Sequence, residues 1–193
     1  MMFPDITLQL PGWVEGFCAS WHSEFTTLEA RAAFVVALSR ENVMQGSGGP
    51  FAAAVFASDA GQLIAPGVNV VVPACCSAAH AEIMALMVAQ QVMGTHDLGA
   101  EGLPVLEIVS STEPCAMCLG AIPWSGVRRL VCCARGEDAE AIGMDEGEKP
   151  HDWVQALERR GIAVTRDMCR TAAVHVLDRY AANGGLIYNG RQG

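Results

Sequence analysis

The stretch LEIVSSTEPCAMCLGAIPWSGVRRLVCCA, residues 106–134, sets the architecture. Leu106 to Ser111 reads as a buried strand, Cys115 to about Trp124 as a helix, and Arg129 to Ala134 as a second strand. Two strands joined through a helix make a parallel, right-handed crossover unit. Cys132 and Cys133 are adjacent on the second strand, so they point to opposite faces as ordinary buried thiols.

Upstream of this unit, Phe51 to Ser58 reads as a strand, Asp59-Ala60-Gly61 as a turn, and Leu63 to Val72 as the hairpin partner, kinked at Pro66-Gly67. Ser77 is the expected N-cap of a helix from about Ala78 to Met93. Ile83, Met84, Leu86, Met87 and Val88 make that helix apolar nearly all round, which predicts burial. Thr26 or Thr27 precedes an earlier helical pattern to about Asn42, with Phe34, Val35, Ala37 and Leu38 facing inward. Residues 1–24 carry Pro4, Pro11, Gly12 and Gly16 and read as an ordered but irregular extension. Downstream, Glu137 to Asp152 reads as an acidic loop, Val154 to Arg160 as a helix, Ile162 to Thr165 as a short strand and Arg170 to Ala182 as a final helix. The sum is an α/β fold, a three-layer α/β/α sandwich. It is expected to form a single domain over 1–193, with an N-terminal extension (1–30) and a C-terminal tail (183–193).

Composition narrows the function classes. Of the 193 residues, 51% are hydrophobic and 17% charged, ample for a core. Pro66, Gly67, Pro73, His80 and Glu82 interrupt the most apolar region, so no membrane span is expected. Asp5 and Glu15 come before the first basic residue, Arg31, unlike a secretory leader, and a cytoplasmic location is expected. Eight irregularly spaced cysteines in a chain of this size fit reduced thiols or metal ligands better than a disulfide framework. A formal charge of -9 argues against a nucleic-acid partner, which requires a basic stripe.

The chemistry lies in two short segments, Ala79-His80-Ala81-Glu82 and Glu113-Pro114-Cys115-Ala116-Met117-Cys118. Cys115 and Cys118, at i and i+3 in the first turn of a helix, project to one side, with Pro114 suited to the first helical position. The positive end of the helix dipole favours thiolates there. His80 and Glu82, at i and i+2, leave opposite sides of a regular helix, so a metal serving both must lie off the helix end. Two helix N-termini then face one ion, in the crevice beyond the carboxyl ends of the strands. Three N/S ligands leave one tetrahedral position for water, the pattern of a catalytic zinc site. A carboxylate that does not bind the metal, Glu82, can then take and return the water's proton.

His-x-Glu followed by Pro-Cys-x-x-Cys is also the signature of zinc base deaminases. The chain resembles the cytidine-deaminase-like family, and within it bacterial guanine deaminases, through Gly49-Pro50-Phe51-Ala52-Ala53-Ala54-Val55, Asn69, the two metal segments, Trp124 and Gly143-Met144-Asp145-Glu146-Gly147. The resemblance spans roughly Arg31 to Asn189. It implies a mixed five-stranded sheet of order 2-1-3-4-5, bound zinc, and a homodimer whose C-terminal tail helps close the neighbouring subunit's site. It further implies that Asn69 and the Ala81 backbone bind the base, that Phe51 and Trp124 line its faces, and that Tyr188 joins them from the tail. Glu146 would be a second proton shuttle beside Glu82. The implied reaction is hydrolysis of guanine to xanthine and ammonia, with amino-triazines such as ammeline as further substrates. Two departures from the family pattern are Pro123 and a long segment from Gly94 to Pro104.

Three other readings share these motifs. A tRNA adenosine deaminase has the same metal segments but needs a basic groove. A cytosine or cytidine deaminase differs only in its pocket. A catalytically silent zinc-binding partner protein would have no need of Glu82.

Overall fold

Five strands form one sheet in the computed structural model, which describes residues 2–187, 189 and 190. They are β1 (Ala52–Ala57), β2 (Gln62–Val68), β3 (Leu106–Thr112), β4 (Arg129–Ala134) and β5 (Ala163–Thr165), in the order β2-β1-β3-β4-β5. β1 runs antiparallel to β2 and β3, whereas β3, β4 and β5 are parallel. The mixed sheet, its order and the crossover between β3 and β4 are all as the sequence led us to expect.

The helices are α1 (Trp13–Ser20), α2 (Leu28–Met44), α3 (Ala81–Met93), α4 (Ala116–Ser125), α5 (Gly136–Ala141), α6 (Trp153–Glu158) and α7 (Arg170–Ala182). Side chains on β1 alternate between two cores. Ala52, Ala54 and Phe56 join α2 and α7 on one face, while Ala53, Val55 and Ala57 join α3 and α6 on the other. Cys132 and Cys133 divide in the same way, and both are buried. Beneath α2, Arg31 pairs with Glu107 of β3 at 2.9 Å, so a buried ion pair links that helix to the sheet.

Four local expectations need correction. The N-terminal extension contains α1, whose Trp13 and Phe17 continue through Trp21 and Phe25 into an aromatic cluster on Phe34. Glycines 12 and 16 made that segment look irregular, but packing against Phe34 outweighs their weak helix propensity. Trp13 also donates a hydrogen bond from Nε1 to Ser47 Oγ (2.9 Å), reaching the loop between α2 and β1. The acidic segment contains α5, whose first turn is closed by a bond from Arg135 N to Asp138 Oδ2 (2.7 Å). α3 starts later than expected: the N-cap is His80, not Ser77, because residue 80 is still extended (φ -72°, ψ 157°). Finally, α3 is not buried all round, since Met87 and Val92 lie on an open face.

What seats α3 is Gly67 on β2. A Cβ built on this glycine would lie 2.3 Å from the Ala81 carbonyl oxygen and 2.4 Å from the Ala85 nitrogen, so the helix backbone rests directly on the strand. Gly67→Ala must push the first turn of α3 away. Overpacking of this kind costs about 1–3 kcal/mol. We expect that loss in urea unfolding, together with sub-stoichiometric zinc in purified protein, because His80 moves with the turn.

Candidate metal centre and active site

The two metal segments meet beyond the carboxyl end of β3, where the antiparallel β1 begins. His80 caps α3 with its backbone, its carbonyl accepting from Met84 N (2.9 Å), which leaves the imidazole free to reach across to α4. Cys115 is the N-cap of α4, also extended (φ -63°, ψ 171°), and Cys118 follows in the first turn. Pro114 therefore precedes the cap instead of occupying the first helical position. Nδ1 of His80 lies 3.5 Å from Cys115 Sγ and 3.6 Å from Cys118 Sγ. A tetrahedral zinc about 2.3 Å from sulfur and 2.0–2.1 Å from nitrogen separates these atoms by about 3.5 Å, so the three donors fit the ion in chemistry and in span. They are the one such group among the described residues.

Charge in the pair of thiols is unequal. A hydrogen bond from Cys118, with help from His80, holds the Cys115 thiol down at about 4 despite its burial. Cys118, bonded to that thiolate and buried, is pushed up and keeps its proton. Two simultaneous thiolates, expected from the helix dipole alone, therefore require the cation itself, and its binding must release a proton. Burial alone would depress the His80 imidazolium, but Cys115 and Glu82 outweigh it and hold it above its ordinary value.

Glu82, in the first turn of α3, is buried and accepts a hydrogen bond from Ser110 Oγ on β3 (3.2 Å). Burial and the Cys115 thiolate push its carboxyl above the ordinary range. Glu146 approaches from the loop after α5. Its backbone carbonyl accepts from Ala116 N (2.9 Å) at the start of α4, and its side chain is 6% exposed. Burial pushes that carboxyl up to about 7, with Lys149 opposing. Two carboxyls raised above their ordinary values thus border one metal centre.

Both belong to a cavity of about 270 Å³ that also exposes His80, Cys115, Phe51, Asn69 and Ala81. Asn69 accepts from Gly49 N and Val71 N (3.4 Å each) through Oδ1, which leaves its NH2 group for a ligand. Trp124, by contrast, is 86% exposed and takes no part in this cavity. Cys115 caps the start of α4, and Trp124 comes nine residues later, which at 1.5 Å per residue is about 13 Å along the axis. Tyr188 lies outside the described residues. The described part of the tail makes contacts with this chain: Tyr180 donates to Leu186 O (2.7 Å), Asn189 donates to Gly143 O (2.9 Å) and accepts from Asp145 N (2.9 Å), and Leu186 lines the cavity.

Sequence reasoning missed Ser110, Lys149, Tyr180 and Leu186. Ser110 had a signal: Ser110, Ser111 and Thr112 put three hydroxyls at the carboxyl end of an otherwise apolar strand, and all three are buried. The other three depend on tertiary contacts with no local signature.

An open-cornered zinc site flanked by two protonatable carboxyls, inside a pocket sized for a small ring, defines a zinc-dependent aminohydrolase. The sequence profile of the cytidine and deoxycytidylate deaminase zinc-binding region matches residues 25–134, and the chain belongs to that family. Among solved structures it is similar to the guanine deaminase of Nitrosomonas europaea, at 50% identity over 94% of this chain and 99% of that one, with a TM-score of 0.88. NE0047 in complex with 2,6-diaminopurine matches at 51% identity over 96% and 97% of the two chains, with a TM-score of 0.89. The guanine deaminase of Bacillus subtilis is 37% identical over 58% of this chain and 67% of its own length.

The Glu146 carboxyl supplies a pH signature in zinc-free protein. Its folded-state value is raised, so its contribution is greatest below the ordinary carboxyl range and is lost as pH rises through about 7. We expect Glu146→Gln to be more stable than the parent at roughly pH 8, by up to about 3 kcal/mol, with the gap closing near pH 4, as read by chemical denaturation.

Proposed function

We propose that this zinc deaminase hydrolyses guanine to xanthine and ammonia. The observation that carries the reading is the pairing of Glu82 and Glu146 on one small cavity whose far wall presents Asn69. A volume of about 270 Å³ falls at the small end of ligand pockets, roughly 300–1,000 Å³, and suits a free base better than a nucleotide. The acidic lining, with Glu82, Glu113, Asp145 and Glu146, repels phosphate and suits a neutral base rich in N–H donors. Relatives named as guanine deaminases, and one holding a 2-aminopurine, support the same substrate.

Bound zinc supplies the Lewis acidity that makes water a nucleophile at neutral pH. Glu82, oriented by Ser110, takes a proton from the attacking water and delivers it to a ring nitrogen next to C2. Glu146 then passes a proton to the exocyclic nitrogen while Glu82 takes the water's second proton from the oxygen on C2, so the C–N bond breaks with ammonia as the leaving group and a carbonyl forms at C2; loss of the proton from Glu82 to solvent and its regain by Glu146 restore both carboxyls. Asn69 and the Ala81 backbone orient the base, and Phe51 packs against it. Glycines 48 and 49, close to Asn69, leave the wall thin enough for the amide to reach the ring.

We further infer a cytoplasmic enzyme of purine breakdown, a single domain working as a homodimer. No helix among the described residues is long and apolar enough to cross a membrane. Ile83, Leu86 and Met87 of α3, with Ala121 and Trp124 of α4, line a shallow apolar depression on the surface, an area suited to contact with a second copy. Trp124 then serves assembly and not the pocket. Sedimentation of Trp124→Glu should show monomers where the parent sediments as a dimer.

The substrate is tested by ammonia release from guanine, guanosine, cytosine, adenosine and ammeline, with guanine turned over fastest. Glu82→Gln should keep its zinc yet lose at least about 10²-fold in kcat. A fully active Glu82→Gln, or a preference for cytosine or adenosine, overturns the assignment.

A further inference from the structure

We propose that Lys149 is a positioning residue for Glu146, and that Gly136 is there to leave room for it. The inference rests on the reading of Glu146 as the second proton carrier. Lys149 is the one basic residue between Gly136 and Asp152, amid seven acidic ones. Its side chain is 13% exposed, and Nζ lies 3.3 Å from Glu146 Oε2. It does not line the cavity, so it touches the far side of the carboxyl and not a substrate. With Oε2 engaged behind, Oε1 is the oxygen free to meet the leaving amine.

Gly136 marks the point where this arrangement closes. A Cβ added there would lie 2.6 Å from Lys149 Nζ and 3.7 Å from both Glu146 Oε2 and Glu113 Oε2. Gly136 does not appear among the positions with positive φ, so the backbone there does not demand glycine, and the missing side chain is what matters. Its N–H donates to Glu113 Oε2 (3.1 Å), and Arg166 Nε donates to Glu113 Oε1 (2.6 Å). Glu113 is thereby fixed on both oxygens, beside the Pro114-Cys115 step, and presents a second carboxylate to the same spot. Lys149 pairs with Glu146, while Glu113, held by its own partners, borders the same gap that Gly136 leaves. Only Glu146 is free to turn, and the ammonium selects its orientation.

Two variants perturb this contact in different ways. Lys149→Met removes the ammonium, while Gly136→Ala keeps it and denies Nζ its place. The assay is steady-state ammonia release on whichever base of the panel the parent turns over fastest, so that a wrong substrate assignment shows itself separately. We expect both variants to lose on the order of 10-fold or more in kcat with KM little changed, at parental zinc content and thermal stability. Lys149→Arg should recover part of the loss. In a Glu146→Gln background, Lys149→Met should cost nothing further, because the residue it positions is gone. Retention of full kcat by Lys149→Met while Glu146→Gln is crippled overturns the positioning role and leaves Glu146 standing. An undiminished effect of Lys149→Met in the Glu146→Gln background overturns it as well. A fully active Glu146→Gln overturns both readings together.

Discussion

The seating of α3 on β2 at Gly67 fixes everything that follows at the site. With no side chain between them, helix and strand backbones touch, and the helix start cannot slide along the sheet. His80 leaves that start as an extended cap, and Glu82 enters within the first turn. β3 and β4, locked in parallel register, set where α4 begins, so the two sulfurs arrive opposite the imidazole. The metal centre is therefore a product of sheet geometry more than of loop conformation. Preorganisation of this kind lets a site bind its cation without reordering the chain.

Around that centre the protein shifts four groups away from their ordinary values. One thiol is ionised and its neighbour is not, and two carboxyls are held above their ordinary range by burial. A deaminase must move protons in both directions during one turnover, and a carboxyl that ionises near neutrality does so with the least loss either way. Ser110 behind Glu82 and Lys149 behind Glu146 play parallel parts, since each holds one oxygen of a carboxyl from the side away from the base.

Much of this was legible in the chain itself. Strand and helix periods gave the individual elements and the crossover because those elements are mostly apolar and bounded by turns, and the family resemblance gave the order of the sheet. The metal residues were legible because ligand chemistry restricts residue type and spacing at once. What escaped had other causes. α1 depends on Phe34, a residue far along the chain, and α5 on reciprocal bonds with Arg135, which local propensity does not weigh. Trp124 was placed in the pocket by resemblance, and helix length alone puts it at the opposite end of α4. Lys149 carried no local mark at all, since a lysine in an acidic run reads as a solvated charge.

The indole of Trp13 reaches Ser47, and Ser47 in turn bonds the carboxamide of Asn42, whose nitrogen holds the carbonyls of Gly49 and Asn69. The amino-terminal arm is thus a buttress for the substrate wall, joined to it through a chain of side-chain bonds that forks at the Asn42 amide nitrogen. An appendage that looks dispensable from its place in the sequence shares in the rigidity of the chamber. Shortening the polypeptide at its front end would be felt as looser grip on the purine, at a distance from any group that touches it.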